Sequence, residues 1–427
     1  MDAPEAFSLS GTAAVSDRWW EVFETPGLTD RVEQALEGNF SLEATWRRLQ
    51  EARAIARRES ADLLPTVDGL VEGEVVRSTP LDDEILSLGL VASYEVDLWG
   101  RIGATADAER FRAEAQLADY RAAALTLTAE VTRTWFGIAE ATAQLELLDE
   151  QIRANEQIRE LIEARVASGQ LRSVDLLRQE ELLEATREGR IIADATRRIL
   201  AHRLAVLLGR PPVGEGAMPE ARLVTLPPLP ETGLPADLVR RRPDIERARQ
   251  LVLAADRDLA AAMSDRYPRL DLTAVLRTTE DASSSLFKDW LASFAAGLIQ
   301  PIFDGGRRVA EVDRTRALRE RRLAEYGQTV LESFREVEDA LVREDEQRRR
   351  LESLDRQVRL ASETIDRLRT DYLNGLGNYL DVLAALTLEQ RLRRDQLSAR
   401  RLLIESRIAL YRALAGGFET SREAENE

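Results

Sequence analysis

Two long stretches, residues 103–168 and 308–374, contain no proline and carry an apolar stripe whose steps alternate between four and three. The first stripe runs from Tyr120 through Ala124, Leu127, Val131, Thr134 and Ile138 to Ile152. The second runs from Leu323 through Tyr326, Val330, Ser333, Val337 and Ala340. It passes polar Glu344 and Gln347, then resumes from Leu351 to Tyr372. A sustained heptad of this kind specifies helices that pack along a coiled-coil seam. At 1.5 Å per residue each helix spans roughly 100 Å. A compact globular domain has no use for such a length.

Both stretches stop at glycine, in Ala167-Ser168-Gly169-Gln170 and Leu373-Asn374-Gly375-Leu376-Gly377. Glycine supplies the left-handed cap that ends a helix. Returning helices start near Ser173-Val174-Asp175 and Asn378-Tyr379-Leu380-Asp381, where an early Asp suits the positive end of the helix dipole. Each stretch therefore belongs to an antiparallel helical hairpin with a polar tip. Such caps are what any hairpin needs, and a docking role for the tips stands beside that plain reading.

The chain repeats itself once. Leu64-Pro65 corresponds to Tyr267-Pro268, an offset of 268 − 65 = 203. Gly100-Arg101 corresponds to Gly306-Arg307, and Gly169 to Gly375, at 375 − 169 = 206. Leu204 to Gly209 corresponds to Tyr411 to Gly416, at 411 − 204 = 207. The period is too long for a solenoid unit and indicates a tandem duplication. We expect a first repeat over residues 1–208, with strands near 66–99 and a tip near 168–175. A second repeat over 236–427 has strands near 269–303 and a tip near 373–381. Each repeat has the order helix, two strands, very long helix, turn, helix. The join, 209–235, holds seven of the 14 prolines and reads as an irregular linker. Residues 1–26 and 418–427 also read as irregular.

Between the helices lie strand signals. From Ile85 to Trp99, Leu86, Leu88, Leu90, Ala92, Tyr94, Val96 and Leu98 fall on one face. Ser87, Gly89, Ser93, Glu95 and Asp97 fall on the other, with Val91 the exception. Val67, Val71 and Val75 alternate with Asp68, Glu72 and Glu74 in the preceding segment. The second repeat offers Leu270, Leu272, Ala274 and Leu276, then a weaker run from Phe294 to Phe303. Ser283-Ser284-Ser285 reads as the polar loop between them. These lengths suit tilted membrane crossings with one face in lipid and the charged face in water. Tyr94, Trp99, Phe287 and Trp290 could form an interfacial belt or pack locally. Four strands cannot close a barrel, and an open edge is forbidden in lipid. Membrane strands of this kind require several chains to share one barrel.

Composition removes other classes. A net charge of −17 argues against a nucleic-acid partner. There is no Cys, so thiolate metal sites and cysteine nucleophiles are excluded. The single His202 lies in a helical pattern and reads as a helix-surface residue. We expect no catalytic site, no cofactor and no metal. Gly305-Gly306 is no phosphate loop, because the Lys and Ser or Thr of that motif are missing. Residues 344–350 read as a solvated stretch of coiled coil, and Pro243 as the first position of a helix. No apolar run reaches 18 residues, so no transmembrane helix is expected. Met1-Asp2-Ala3-Pro4 does not resemble a signal peptide. Neither observation excludes a β-barrel.

Several motifs lie in order along nearly the whole chain. They are Trp19-Trp20 with Phe23, then Ser93-Tyr94-Glu95-Val96-Asp97-Leu98-Trp99-Gly100-Arg101. Arg241-Arg242-Pro243-Asp244-Ile245, Tyr267-Pro268-Arg269-Leu270 and Pro301-Ile302-Phe303-Asp304-Gly305-Gly306-Arg307 follow. Glu336-Val337-Glu338-Asp339-Ala340-Leu341 and Tyr411-Arg412-Ala413-Leu414 complete the set. Together they resemble the TolC-type outer-membrane factors, specifically the OprM-like branch.

The resemblance implies a mainly α fold with a β-barrel portion: a long α-helical coiled-coil barrel plus four strands per protomer of a trimeric transmembrane β-barrel. The linker would be equatorial. It implies a passive homotrimeric duct across the outer membrane and periplasm. Its partners would be a periplasmic adaptor protein, an RND-type inner-membrane transporter and outer-membrane lipid. By position, Tyr372 and Asp381 match the family's tip tyrosine and first aperture aspartate, and Asp175 the acidic partner on the first hairpin. Gly169, Ser173, Gly375 and Gly377 would lie at the adaptor-docking tips, and Leu86, Leu88, Leu90 and Tyr94 would face lipid. Two positions depart from the pattern. The second aperture aspartate falls on Ala384, and the arginine that links closed tips in TolC falls on Gly377. A soluble coiled-coil scaffold and an enzyme are the competing readings. The charged strand faces, duplicated at the same place in each half, favour the duct.

Overall fold

The structure, a computed structural model, describes residues 5–78, 81–212, 220–280, 289–416, 418 and 420–424. A short 3-10 turn, Trp19–Phe23, precedes the first α-helix. Helices α1 (Leu28–Gly38) and α2 (Phe40–Ala61) lead into strands β1 (Thr66–Ser78) and β2 (Leu81–Val96). Helix α3 (Arg101–Ala167) and the returning α4 (Ser173–Leu207) complete the first half. The second half contains α5 (Pro235–Arg241), α6 (Pro243–Ser264), β3 (Arg269–Glu280) and β4 (Leu291–Ile299). Helices α7 (Arg307–Leu373), α8 (Tyr379–Leu414) and α9 (Ser421–Ala424) follow. α3 and α7 each have 67 residues and start at positions 307 − 101 = 206 apart. α2 and α6 each have 22 residues and start 243 − 40 = 203 apart. The duplicated order is thus carried by the elements themselves. Residues 1–26 are not wholly irregular, since the 3-10 turn buries Trp19, Trp20 and Phe23. Ser283, Ser284, Ser285 and Phe287 lie outside the described residues.

The chain divides into two compact units, each drawing on both halves. One comprises residues 45–120 and 244–330 and contains the sheet. The strands lie in the order β1-β2-β3-β4, all antiparallel. The register aligns the alternation of all four. Val71 lies opposite Leu88, Leu90 opposite Leu276, and Tyr94 opposite Leu272. Leu272 in turn lies opposite Ala296, and Leu270 opposite Leu298. Directly paired residues share a face. One face is therefore mainly apolar, with Thr278 opposite Leu88 as an exception. The other carries Asp68, Glu72, Ser87, Ser93, Glu95, Asp271, Thr273 and Arg277.

Strand β2 ends at Val96, earlier than the alternation suggested. Asp97 is not a wet-face strand residue: its carboxylate accepts from the backbone N–H groups of Ile102 at 3.0 Å and Gly103 at 2.8 Å. Those are orphan donors of the α3 N-terminus, and a carboxylate there outcompetes a further ladder step. Leu98 and Trp99 consequently leave the strand. Trp99 stacks on Tyr267 with centroids 4.9 Å apart and donates to the Pro268 carbonyl at 2.8 Å. Likewise β4 stops at Ile299, before Ile302 and Phe303.

The other unit comprises residues 1–44, 121–243 and 331–427. Here the heptad stripe is buried through Val131, Ile138, Ala141, Leu148, Val337, Ala340, Leu354 and Ala361, but Leu351, Val358, Ile365, Leu368 and Tyr372 are half-buried, and Leu323, in the other unit, is exposed. An aromatic cluster anchors one end of the seam. Trp19 stacks on Tyr411 at 5.8 Å, Phe23 meets Phe136 at 5.2 Å, and Trp20 meets Phe418 at 5.2 Å. Residues 344–350 are not uniformly solvated. Glu344 is buried and accepts from Nε of the buried Arg407 at 2.8 Å and from its Nη2. Arg407 Nη1 also donates to the Pro227 and Pro228 carbonyls at 2.8 and 2.9 Å. The pair therefore clamps the proline-rich join onto α7 and α8.

Removing one partner of a buried ion pair strands the other charge in a dry site and costs about 3–5 kcal/mol. Glu344→Ala is expected to lower the midpoint of thermal unfolding sharply. Glu344→Asp, which keeps the charge opposite Arg407, should lose less, and equal losses would contradict the stranded-charge account.

Candidate functional site: the sheet faces and the hairpin tips

On the apolar side of the sheet, Leu86, Leu88 and Tyr94 are half-buried and Leu90 is exposed. On the charged side a cleft of about 460 Å³ is lined by residues including Thr66, Ser93, Glu95, Arg101, Asp271 and Thr273. Arg101 Nη2 donates to both Glu95 oxygens, at 2.9 and 2.8 Å, while its Nε is buried and without a hydrogen-bond partner among the described residues. No cluster of three or more potential metal ligands occurs among the described residues. No helix among the described residues is long and apolar enough to cross a membrane.

At the first tip, Gly169 takes a φ of 73° and at the second Gly375 takes 76°, values a side chain would strain. The N–H of Gln170 donates to the Arg165 carbonyl at 2.9 Å, and that of Leu376 to the Asp371 carbonyl at 2.9 Å. This six-to-one bond closes both turns in the same way. Ser173 opens α4. Asn378 caps α8 by accepting from the Asp381 N–H at 3.0 Å. Gly377 has ordinary backbone space rather than a positive φ.

The three residues matched to the family's gate are not alike here. Asp381 is exposed in the first turn of α8. Asp175 is buried, with Arg172 Nε at 3.4 Å and Arg178 Nη1 at 3.6 Å. Tyr372 lies under the Arg165 guanidinium at 5.0 Å and 6.0 Å from the Tyr379 ring. Its hydroxyl is buried and without a hydrogen-bond partner among the described residues. Tyr379, not singled out from the sequence, joins the group: burial pushes its phenol above the usual range, and nearby Tyr372 and Asp175 act in the same direction. Tyr372 and Asp175 are thus brought together around Tyr379, whereas Asp381 stands apart in solvent.

Behind the tips lies a buried amide cluster that sequence reasoning missed. Gln390 Nε2 donates to Asn155 Oδ1 at 3.0 Å, and Asn155 Nδ2 donates to Thr186 Oγ1 at 3.1 Å. Gln179 Nε2 donates to the Asn155 carbonyl at 2.9 Å, and the Tyr379 hydroxyl donates to Gln179 Oε1. These residues tie α3 and α4 to α8. Polar residues at seam positions read as surface in one sequence, which is why the cluster escaped notice.

The outer membrane efflux protein family matches residues 32–210 and 234–416. Cation efflux system protein CusC of Escherichia coli O6:H1 is 28% identical over 98% of this chain and 94% of its own length. Outer membrane protein OprJ of Pseudomonas aeruginosa is 30% identical, over 98% and 92% respectively. The open-state structure of the Neisseria gonorrhoeae MtrE outer membrane channel superposes with a TM-score of 0.90 at 26% identity, covering 97% of this chain and 96% of that one.

An arginine on the lipid side of a barrel costs about 2–4 kcal/mol near the midplane, and far less in a wet lumen. Leu90→Arg should strongly reduce the yield of folded, membrane-inserted protein, while Thr273→Arg on the opposite face should not. Equal yields for the two variants would remove the assignment of faces.

Proposed function

The chain belongs to the outer membrane efflux protein family and is an outer-membrane efflux channel; from that premise we propose that it is the passive exit duct of a tripartite pump. The sheet carries this reading. It has one apolar face, one charged face and two unpaired edges, β1 and β4. In lipid those edges must be paired, so several copies share one barrel, and the family resemblance makes the working unit a homotrimer. Leu86, Leu88, Leu90 and Tyr94 face lipid, and the charged face lines the lumen. The helical unit extends into the periplasm. A periplasmic adaptor protein meets the tips around Gly169, Ser173, Gly375 and Gly377. An RND-type inner-membrane transporter supplies energy and chooses the cargo, and the duct itself needs no cofactor.

Asp381 is the best single aperture residue. It is exposed at the tip of α8, and in a trimer it places three carboxylates near one axis. Such a ring favours cations. Buried Asp175 of the first tip and half-buried Tyr372 of the second, both beside Tyr379, hold the resting position of the hairpins rather than facing the pore. Adaptor docking shifts the population toward open tips.

Two measurements test this. Light scattering of the purified protein in detergent should give a protein-only mass of three chains. A monodisperse monomer in plain buffer would instead leave a soluble coiled-coil scaffold. In planar bilayers, Asp381→Ala should raise single-channel conductance and weaken block by multivalent cations. Unchanged conductance and block would take Asp381 out of the aperture.

A further inference from the structure

The two hairpin turns share one backbone design. In the first, the Gly169 N–H donates to the Val166 carbonyl at 3.0 Å and the Gln170 N–H to the Arg165 carbonyl at 2.9 Å. In the second, the Gly375 N–H donates to the Tyr372 carbonyl at 3.1 Å and the Leu376 N–H to the Asp371 carbonyl at 2.9 Å. They differ at the residue before the glycine. In the first turn it is Ser168, whose hydroxyl donates to the Arg165 carbonyl at 3.0 Å. In the second it is Asn374, which is exposed and whose side-chain amide makes no hydrogen bond among the described residues.

Asparagine is a thermolabile residue, and most so before glycine. There the next backbone nitrogen can attack the side-chain carbonyl carbon, because glycine has no side chain to shield it. The chain has five asparagines, and only Asn374 precedes glycine. Phe40, Glu156 and Tyr379 follow Asn39, Asn155 and Asn378. Those three amides are also held. Asn39 donates to the Leu207 carbonyl at 2.9 Å and accepts from the Leu42 N–H at 3.0 Å. Asn155 is buried in the amide cluster, and Asn378 caps α8.

We propose that Asn374 is a self-modification site that converts to a carboxylate and loosens the second tip. The Gly375 nitrogen forms a bond to Asn374 Cγ, the Cγ–Nδ2 bond breaks, and the proton of that nitrogen leaves with the amide group as ammonia. The product is a five-membered succinimide ring. Water then opens the ring at either carbonyl. Opening at Cγ leaves aspartate. Opening at the main-chain carbonyl leaves isoaspartate, in which the chain runs on through Cβ and Cγ. Water is the only other reactant.

The turn must open for the attack. The Gly375 N–H is engaged with Tyr372, and the Asn374 N–H continues the helical pattern by donating to the Thr370 carbonyl at 3.1 Å. Opening costs little here. A turn of this type is frequently braced by an apolar contact between the residue after the glycine and one a turn earlier. Those positions are Leu376, which is 81% exposed, and Asp371, which is charged and exposed as well. The second turn is therefore held by backbone bonds in contact with water. Such a segment opens locally far more often than the whole chain unfolds.

Either product weakens the turn. A carboxylate at position 374 stands at the negative end of the α7 dipole, where anions are unfavourable. It also lies three residues from Asp371, a spacing at which helix side chains are neighbours and like charges repel. Isoaspartate puts one more backbone atom between the Asp371 carbonyl and the Leu376 N–H, so that bond no longer closes in its present geometry. Asp381 stands exposed in the first turn of the next helix, so conversion adds charge to a tip that is already acidic.

The test uses the detergent-purified protein, held for weeks in warm neutral buffer, then digested and sequenced by mass spectrometry. Asn374 should convert to a mixture of aspartate and isoaspartate, while Asn39, Asn155 and Asn378 remain amides. Asn374→Gln, whose longer side chain cannot form the five-membered ring, should not convert. An Asn374 that stays an amide in the folded protein overturns the site. Hydrogen exchange tests the loosening. In Asn374→Asp the amides of Gly375 and Leu376 should exchange faster than in Asn374→Gln, while those of Gly169 and Gln170 exchange alike in both. Equal exchange at Gly375 and Leu376 overturns the loosening. Neither readout depends on conduction, so a failure here and a failure of the exit duct are told apart.

Discussion

A helix of 67 residues is held by what covers its seam rather than by its own hydrogen bonds. In α3 and α7 the later part is covered by the returning α4 and α8, and the earlier part meets α2 and α6, as in Trp46 against Tyr120 and Arg319 with Asp256. The glycine turns at 169 and 375 fix where each hairpin reverses. The aromatic cluster of Trp19, Phe23, Phe136 and Tyr411 fixes the opposite end of the seam in the same unit. The Arg407 clamp holds the proline-rich join against that framework, through two carbonyls that no regular structure would satisfy. Buried polar groups need such partners, and here the irregular backbone and the charged side chain satisfy one another.

The seam is not purely apolar. Asn155, Gln179, Thr186 and Gln390 are all buried, and their donors and acceptors meet within one cluster. An apolar seam tolerates slippage, because one Leu packs against a hole much as another does. A polar group does not, since moving it by one turn leaves an amide unsatisfied at about 1–3 kcal/mol. A single buried polar position is known to specify coiled-coil register on these grounds.

What was legible in the sequence follows from which features are local and periodic. The heptad, the glycine turns, the alternation of Leu86 to Val96 and the duplication all repeat, and repetition is visible without a partner. What escaped was set by competition between elements. Asp97 reads as the next wet residue of a strand until its carboxylate is seen to cap α3. Glu344 reads as solvated because its partner lies 407 − 344 = 63 residues away. The tips show the same limit. Glycine and Asp positions were apparent, but the burial of Asp175 between Arg172 and Arg178, and the place of Tyr379 beside it, depend on how the helices are packed.

The duplication also explains why the two halves must not remain identical. If both repeats presented the same groove, α8 could dock on its own repeat's equivalent site or on another copy's with equal ease. The grooves have instead diverged. The one formed by α3 and α4 holds Asn155, Gln179 and Thr186, and it receives Gln390. At an offset of 206 the same three positions in α7 and α8 are Ala361, Ala385 and Leu392, which line an apolar groove of about 230 Å³ with Leu360 and Leu388. Gln390 in that apolar groove would lose its amide partners, and an apolar side chain in the first groove would leave Asn155 unsatisfied. Each mismatch leaves a buried polar group unpaired, so discrimination comes from what the wrong partner leaves unsatisfied. A duplicated chain gains two distinguishable grooves in this way.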